Sequence, residues 1–392
     1  MVVASSDAAA IPGEGAALRY AHFCLRETQK HARSARGIFY EAHVPVKNDL
    51  TLFAPAGANS ARLSLINKLY VIETASVEPY HNLALEKALF DRVEQGELIL
   101  YLWQNRRTVV CGRNQNVYQE CRISQLKADG GYLARRLSGG GAVFHDLGNL
   151  NFTFLAREGD YDLDRQLGVI QAACAAQGIP AQRSGRNDLT VEGRKFSGNA
   201  FHASGGRKYH HGTLMVDVVK EDLQKYLNVD PEKLKSKGVA SVRSRVCNLT
   251  EFCPGLTVGG MKDALRAAFS ATFGLPYTAL AEEALGDLRE KAAFFGSDRW
   301  LYGPAGSFTL TLRRRFPWGE ADIRLDARCG AIRDAAVYSD AMDGGYIRLL
   351  AENLPGTELS AQAVAELAEN LAETDEQKAM AADIRALILD TL

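Results

Sequence analysis

Hydrophobic positions recur along most of this chain at two spacings, and the places where one gives way to the other mark the elements. At 150–154, LNFTF sets Leu150, Phe152 and Phe154 against Asn151 and Thr153, the period of two expected of a strand with one apolar face. YLARR (132–136) and AVFH (142–145) read as strands leading into and out of a run of three glycines. At 81–90, HNLALEKALF instead places Leu83, Leu85, Ala88 and Leu89 at helical spacing, and the strands LILYLW (98–103) and TVVCG (108–112) follow it. DLTV (188–191) is a short β-branched strand, Glu192 and Gly193 make a turn, and RKFSG (194–198) returns as the second arm of a hairpin. GTLMVDV (212–218) is a further strand and MKDALRAAFSATFG (261–274) a helix.

A helical linker at 280–293 then leads through FGSDRWLYG to the strands FTLTLRRRF (308–316) and ADIRLDARCGAIRDAAVYSD (321–340), and two alanine-rich helices close the chain. The pattern predicts an α+β protein: a large domain of mixed β-sheets flanked by helices at 65–279, and a small α+β domain at 280–392. Residues 1–64, rich in Ala, Ser and Gly, carry no strong periodic element, although 19–44 has partial helical character. They lack the charged start and apolar core of a secretory signal, and Asp7, Glu14, Glu27 and Glu41 count against an organellar presequence. The expectation is a disordered extension or a start assigned too early, with the natural start near Leu65 or Leu69.

A chain of 392 residues is long for one core, which agrees with two domains and an extension. With 46 Lys and Arg against 47 Asp and Glu, nothing implies a general affinity for nucleic acid or anionic membrane. A local basic cluster, KLKSKG to VRSR at 233–245, suits either an acidic partner or a solvated face. No apolar run approaches the ~18 residues that a membrane crossing needs.

Chemistry concentrates at 135–154, RRLSGGGAVFHDLGNLNFTF. Gly139, Gly140 and Gly141 let a ligand come within hydrogen-bonding distance of main-chain N–H groups, and Arg136 adds a fixed charge with a fork of donors. No Lys-Ser or Lys-Thr follows the glycines, so this is not a P-loop; a strand follows them and the third fingerprint glycine is missing, so it is not a dinucleotide site. A glycine-rich hairpin without a ligand fits the loop alone. The second segment, SGRNDLTVEGRKFSGNAF (184–201), puts Lys195 just past a hairpin turn, where it either points into a cleft or is solvated. His210 and His211 are neighbours in a strand and point to opposite faces, so they are not a joint metal site.

Together with YHHGTLMVDV (209–218) and KLKSKGVASVRSRVCNLTE (233–251), these two segments resemble lipoate-protein ligases of the two-domain bacterial type, with the biotin/lipoyl ligase-like fold. Four ordered motifs carry the resemblance, which runs from about Ile66 to the C-terminus and is densest between Trp103 and Glu251. It implies activation of free lipoate, with octanoate as an alternative acid, by ATP and Mg²⁺ to lipoyl-AMP, then transfer to a lysine of a lipoyl-carrier domain such as an E2 subunit or the H protein. Lys195 is the implied catalytic cation, touching both the acid and the α-phosphate. Arg136, Ser138, Gly140, Gly141, Ala142, Val143, Phe144, Ser197 and Gly198 are implied around the nucleotide, with Asn149 and Asp188 as magnesium or ribose contacts. Glu86, Trp103 and His145 are implied at the lipoyl pocket, alongside Arg136, Gly140 and Lys195. The small domain is implied to swing between the two steps. No firm metal ligand, membrane or nucleic acid is implied, and a cytoplasmic monomer is expected.

Acyltransferases of the same fold use a cysteine in place of ATP, so the cysteines at 24, 111, 121, 174, 247, 253 and 329 matter. None forms a CxxC pair, and their odd number fits reduced thiols. Cys111 and Cys174 read as core, whereas Cys247 lies in VRSRVCNLTE, close to the expected carrier-side surface, and is the candidate nucleophile for an octanoyl transferase. A non-catalytic lipoyl or nucleotide binder is the remaining alternative, against which Lys195 argues. The GRGRxG loop of biotin ligases is absent.

Overall fold

The computed structural model describes residues 66–185, 187–228, 246–303, 308–328 and 330–391. The expectations for 1–64, for the basic cluster at 233–245 and for Cys24 and Cys329 lie outside the described residues.

Among the described residues, eleven strands build the first body: β1 (Lys68–Glu73), β2 (Glu97–Trp103), β3 (Thr108–Cys111), β4 (Tyr132–Arg135), β5 (Val143–His145), β6 (Asn149–Arg157), β7 (Gln182–Ser184), β8 (Asp188–Val191), β9 (Arg194–Ser204), β10 (Arg207–Met215) and β11 (Tyr277–Ala279). Eight of them form one mixed sheet in the order β11-β1-β2-β6-β10-β9-β8-β7, and a smaller sheet runs β4-β3-β5. Helix α1 (Pro79–Arg92) covers one face of the large sheet, and α2 (Leu163–Ala175) and α3 (Val258–Phe273) cover the other.

Strand β2 shows why the layers form. Leu98, Leu100 and Leu102 enter the core beneath α2 and α3 with Phe152, Phe154, Ile170 and Phe269. Ile99, Tyr101 and Trp103 enter the core beneath α1 with Leu85, Leu89, Leu155 and Tyr209. A central strand covered on both sides has no polar face to offer solvent. The alternation at 150–154 has the same explanation: Asn151 and Thr153 are as buried as the phenylalanines beside them, and form the polar lining of the α1 side rather than a wet surface.

The glycine run is not a hairpin. Strand β3 lies between β4 and β5, parallel to the first and antiparallel to the second, so residues 136–142 cross over the end of β3. The approach is close enough that a Cβ on Gly112 would sit 2.1 Å from the Gly140 carbonyl oxygen.

Strands β12 (Leu310–Phe316), β13 (Gly319–Arg328) and β14 (Ala331–Tyr338) form an antiparallel sheet in the second body. Helices α5 (Gly344–Asn353), α6 (Ala361–Asn370) and α7 (Asp375–Thr391) pack on it around Tyr346, Ile347, Leu350 and Ile384. The segment before it does not start this body. Leu288 and Phe295, the latter on α4 (Arg289–Gly296), bury in the core under α1, and Trp300 Nε1–H donates to the Arg135 carbonyl at 2.8 Å. On this packing we place the junction after Tyr302 rather than at 280.

Among the described residues, two backbone seams join the bodies. Gly140 N–H donates to the Ala341 carbonyl at 3.0 Å, and Ser339 N–H donates to that of Asn114 at 2.9 Å. Asn114 Nδ2 closes the second seam on the Gly344 carbonyl at 2.8 Å. No helix among the described residues is long and apolar enough to cross a membrane.

Phe154 packs against Phe152, His210 and Phe269 at the centre of the larger core. Phe154→Ala should cost about 3–5 kcal/mol of stability, read as a lowered midpoint in urea denaturation followed by circular dichroism.

Candidate active site

A cavity of about 160 Å³ opens between the glycine crossover and the β8–β9 hairpin. Leu83 from α1, Trp103, Val110 and Val143 give it apolar walls, and Arg136, His145, Asn151, Lys195 and His211 bring polar atoms to it.

The hairpin aims Lys195. Glu192 (φ 50°) and Gly193 (φ 75°) both adopt the left-handed conformation, as the tightest hairpin turn demands. Two residues on, the pairing of β8 with β9 slips, so that Thr190 opposes Lys195 but Leu189 opposes Ser197. Such a bulge bends the strand and re-aims the side chains beside it. Lys195 Nζ then pairs with Asp188 Oδ1 at 2.6 Å, and the Lys195 carbonyl accepts from Cys247 N–H at 2.9 Å. Gly198 leaves room for the ammonium group, since a Cβ there would lie 2.9 Å from Nζ.

The opposite wall rests on a buried chain of hydrogen bonds. Trp103 Nε1–H donates to Thr153 Oγ1 (3.1 Å), whose hydroxyl donates to Glu86 Oε1 (2.7 Å). His211 Nδ1–H donates to the same carboxylate oxygen at 2.8 Å, and its Nε2 lies 2.7 Å from Ser138 Oγ. Ser138 Oγ accepts from Arg136 Nε–H at 3.0 Å, which leaves its own hydrogen for His211 Nε2. The Arg136 guanidinium also donates to the carbonyls of Val110 (3.1 Å), Gly139 (2.7 Å) and Gly141 (2.8 Å). Arg136 therefore braces the crossover through most of its donors.

The implied residues divide accordingly. Trp103, Arg136, Gly140, Gly141, Ala142, Val143, His145, Lys195 and Gly198 line the cavity. Glu86 and Ser138 stand behind it in the hydrogen-bonded chain. Phe144 turns away, because it alternates with Val143 and His145 on β5 and packs against Tyr226, with ring centroids 5.3 Å apart. Asn149 donates to Asn151 Oδ1 at 2.9 Å, Asp188 is the ion-pair partner of Lys195, and Ser197 is buried. The sequence marks no role for His211, Thr153 or Asn187, and His211 stands out there only as half of an adjacent histidine pair. That pair does split between the faces: His210 stacks among Phe154 and Phe201 and meets Asn199 Oδ1 at 2.8 Å.

Cys247 is fully buried, its thiol donates to the Arg194 carbonyl at 3.3 Å, and burial pushes its pKa up. A thiol held as the neutral form away from the cavity is a poor nucleophile. Burial, with Arg136 and His211 nearby, lowers the His145 pKa to about 3, so the ring in the cavity wall is neutral.

The sequence profile of the lipoyl protein ligase A/B catalytic domain matches residues 78–270, and that of the bacterial lipoate protein ligase C-terminus matches residues 305–388. Lipoate-protein ligase A of Psychrobacter cryohalolentis is 41% identical over 297 residues, covering 73% of this chain and 88% of the relative. The chain belongs to the lipoate-protein ligase family. Among solved structures, the ligase is similar to Plasmodium falciparum LipL1 in complex with lipoate (TM-score 0.72, 27% identity), over 82% of this chain and 99% of that one. It is also similar to a lipoate-protein ligase A bound with ATP (TM-score 0.53, 26% identity), over 60% of this chain and 98% of that one. The second profile begins at residue 305, just beyond the junction that the packing marks after Tyr302.

Neutral buried histidines tie stability of the ligase to pH. His145 and His210 are both held near pKa 3 by desolvation, and His202 near 4. Between those values and the unfolded pKa of about 6.5, the unfolded chain binds more protons, so stability is full above that range and falls as pH drops. Each fully buried ring should cost about 2 kcal/mol at pH 5. Urea midpoints at pH 7.5 and 5 check this, and His210→Phe should flatten the dependence.

Proposed function

We propose that this ligase joins the carboxylate of lipoate to the α-phosphate of ATP in the cavity beside Lys195, and then passes the acyl group to a carrier lysine. The observation that carries the assignment of roles is the placement of Lys195: one ammonium group, aimed by a bulged hairpin, at a cavity with apolar walls beneath a glycine crossover. The first step brings two anions together. At ~4 Å and an effective dielectric of ~20, like unit charges repel by about 4 kcal/mol, close to a thousandfold in rate. Lys195 offsets that repulsion where charge accumulates on the α-phosphate, as the carboxylate oxygen bonds to phosphorus and the bond to pyrophosphate breaks.

The backbone of the crossover, with Gly141 beside the cavity, supplies N–H donors to the adenylate. The walls of Leu83, Trp103, Val110 and Val143 take the aliphatic tail and keep water from the mixed anhydride. In the second step the carrier amine attacks the acyl carbon, the bond to AMP breaks and the amine loses a proton. E2 subunits and the H protein are the acceptors we propose.

Magnesium enters with the nucleotide in this reading. Among the described residues no group of three or more His, Cys, Asp or Glu could hold a resident ion. The donor set still suits Mg²⁺, which binds through one or two carboxylates together with substrate phosphates and water. Asp188, paired with Lys195 at 2.6 Å, would be a carboxylate to hold such an ion, which would supply charge to the phosphates.

Lys195→Ala removes a charge from the reacting centre and no core volume. It should lower lipoate-dependent pyrophosphate release by about a thousandfold or more while leaving the circular dichroism spectrum unchanged. Cys247→Ala should retain ATP-dependent mass gain on a carrier domain. Full activity in a folded Lys195→Ala protein, or ATP-independent octanoyl transfer lost with Cys247, would overturn the assignment.

A further inference from the structure

A histidine in the core behind the cavity leads, through one side chain, to the residues that carry Lys195. His210 on β10 is fully buried, edge-on to Phe152 and stacked against Phe201, with ring centroids 5.3 Å away in each case. Its Nε2 lies 2.8 Å from Asn199 Oδ1, whereas Nδ1 meets no polar atom among the described residues. Burial lowers its pKa to about 3, so the ring is neutral and carries one hydrogen. Packing among phenylalanines does not by itself call for an imidazole, whose polar atoms cost desolvation.

The partner decides where that hydrogen sits. Asn199 Nδ2 donates to the Asn187 carbonyl at 2.8 Å, and a carbonyl can only accept, so the amino side of the amide faces Asn187 and Oδ1 faces the ring. His210 therefore carries its hydrogen on Nε2 and donates it. Gly212, the cross-strand neighbour of Asn199 on β10, leaves the space for this amide: a Cβ there would lie 2.7 Å from Asn199 Oδ1.

The amide in turn holds the start of β8. The Asn187 carbonyl also accepts from Asn199 N–H at 2.9 Å, and Asn187 Nδ2 donates to the Asn199 carbonyl at 3.0 Å, so three hydrogen bonds tie one residue to the other. They extend the ladder one pair past Asp188, which opposes Gly198. On the other side of Asp188 the pairing slips between Leu189 and Thr190, so the clamp fixes the strand end that carries this carboxylate. Asp188 Oδ1 meets Lys195 Nζ at 2.6 Å.

We propose that His210 is a positioning residue for adenylate formation: its Nε2–H orients Asn199, Asn199 pins Asn187, and the pinned strand end sets Asp188 and Lys195 at the cavity that Asn187, Lys195 and Asn199 border. The proposal rests on the ligase reading. A misplacement of about 1 Å, set far from the chemistry, can cost about 10²-fold in rate. Because Lys195 acts on charge that develops in the transition state, the loss falls on kcat rather than on KM.

Steady-state pyrophosphate release by the full chain tests this with two variants. His210→Leu has no donor, whereas His210→Gln places an amide N–H near the position of Nε2. His210→Leu should lower kcat by about thirtyfold and leave KM for lipoate and for ATP within about twofold, while His210→Gln should keep kcat within about threefold. A packing role would instead rank the variants by their urea midpoints. ¹⁵N spectra of histidine-labelled wild type need no variant to fold: His210 should carry its hydrogen on Nε2. A hydrogen on Nδ1, wild-type kcat in folded His210→Leu, or equal losses in the two variants overturns the proposal and leaves the ligase reading intact. A wild type that forms no lipoyl-AMP overturns both.

Discussion

The buried guanidinium of Arg136 is the constraint on which the rest of the site depends. It is 6% exposed and its donors tie together the end of β3, Ser138 and two carbonyls of the glycine crossover. A charge so far from water must be compensated. Glu86 supplies the opposite charge through His211 and Ser138, so the carboxylate on α1 reaches the crossover without touching it. Because Trp103 enters the same chain through Thr153, the wall of the cavity and the crossover above it are set by one network. Removing a member leaves the others buried and unpaired, which is why such networks hold a single geometry.

Much of this arrangement is legible in the sequence, because its chemistry is local. Three glycines after paired arginines, a hairpin turn just before a lysine, and a strand with histidines on alternate sides each announce themselves within a few residues. The hairpin at 188–198 has its turn at the expected residues, since only the left-handed conformation at Glu192 and Gly193 closes it so tightly. What escapes is the bulge opposite Leu189 and Thr190, an irregularity of pairing with no composition of its own.

Long-range roles are hidden for a different reason. Glu86 looks like one polar position on an amphipathic helix, and only the fold sets it 2.8 Å from a histidine 125 positions later. Asn105 lies between two strands, and its amide nitrogen meets His145 Nδ1 at 3.2 Å across forty residues. Phe144 shows the opposite failure: it stands between two cavity residues in the motif, and alternation along β5 sends it to a separate core with Tyr226. Sequence adjacency identifies the strand, but the pleat decides the face.

The seam between Gly140 and Ala341 has a consequence for energetics. One crossover N–H is already satisfied by a carbonyl from the smaller body. Any ligand that draws on that N–H competes with the carbonyl for it, so the free energy of separating the two bodies at this point is subtracted from the ligand's intrinsic affinity. Linkage makes the relation mutual: whatever loosens the smaller body tightens the ligand, by the same factor.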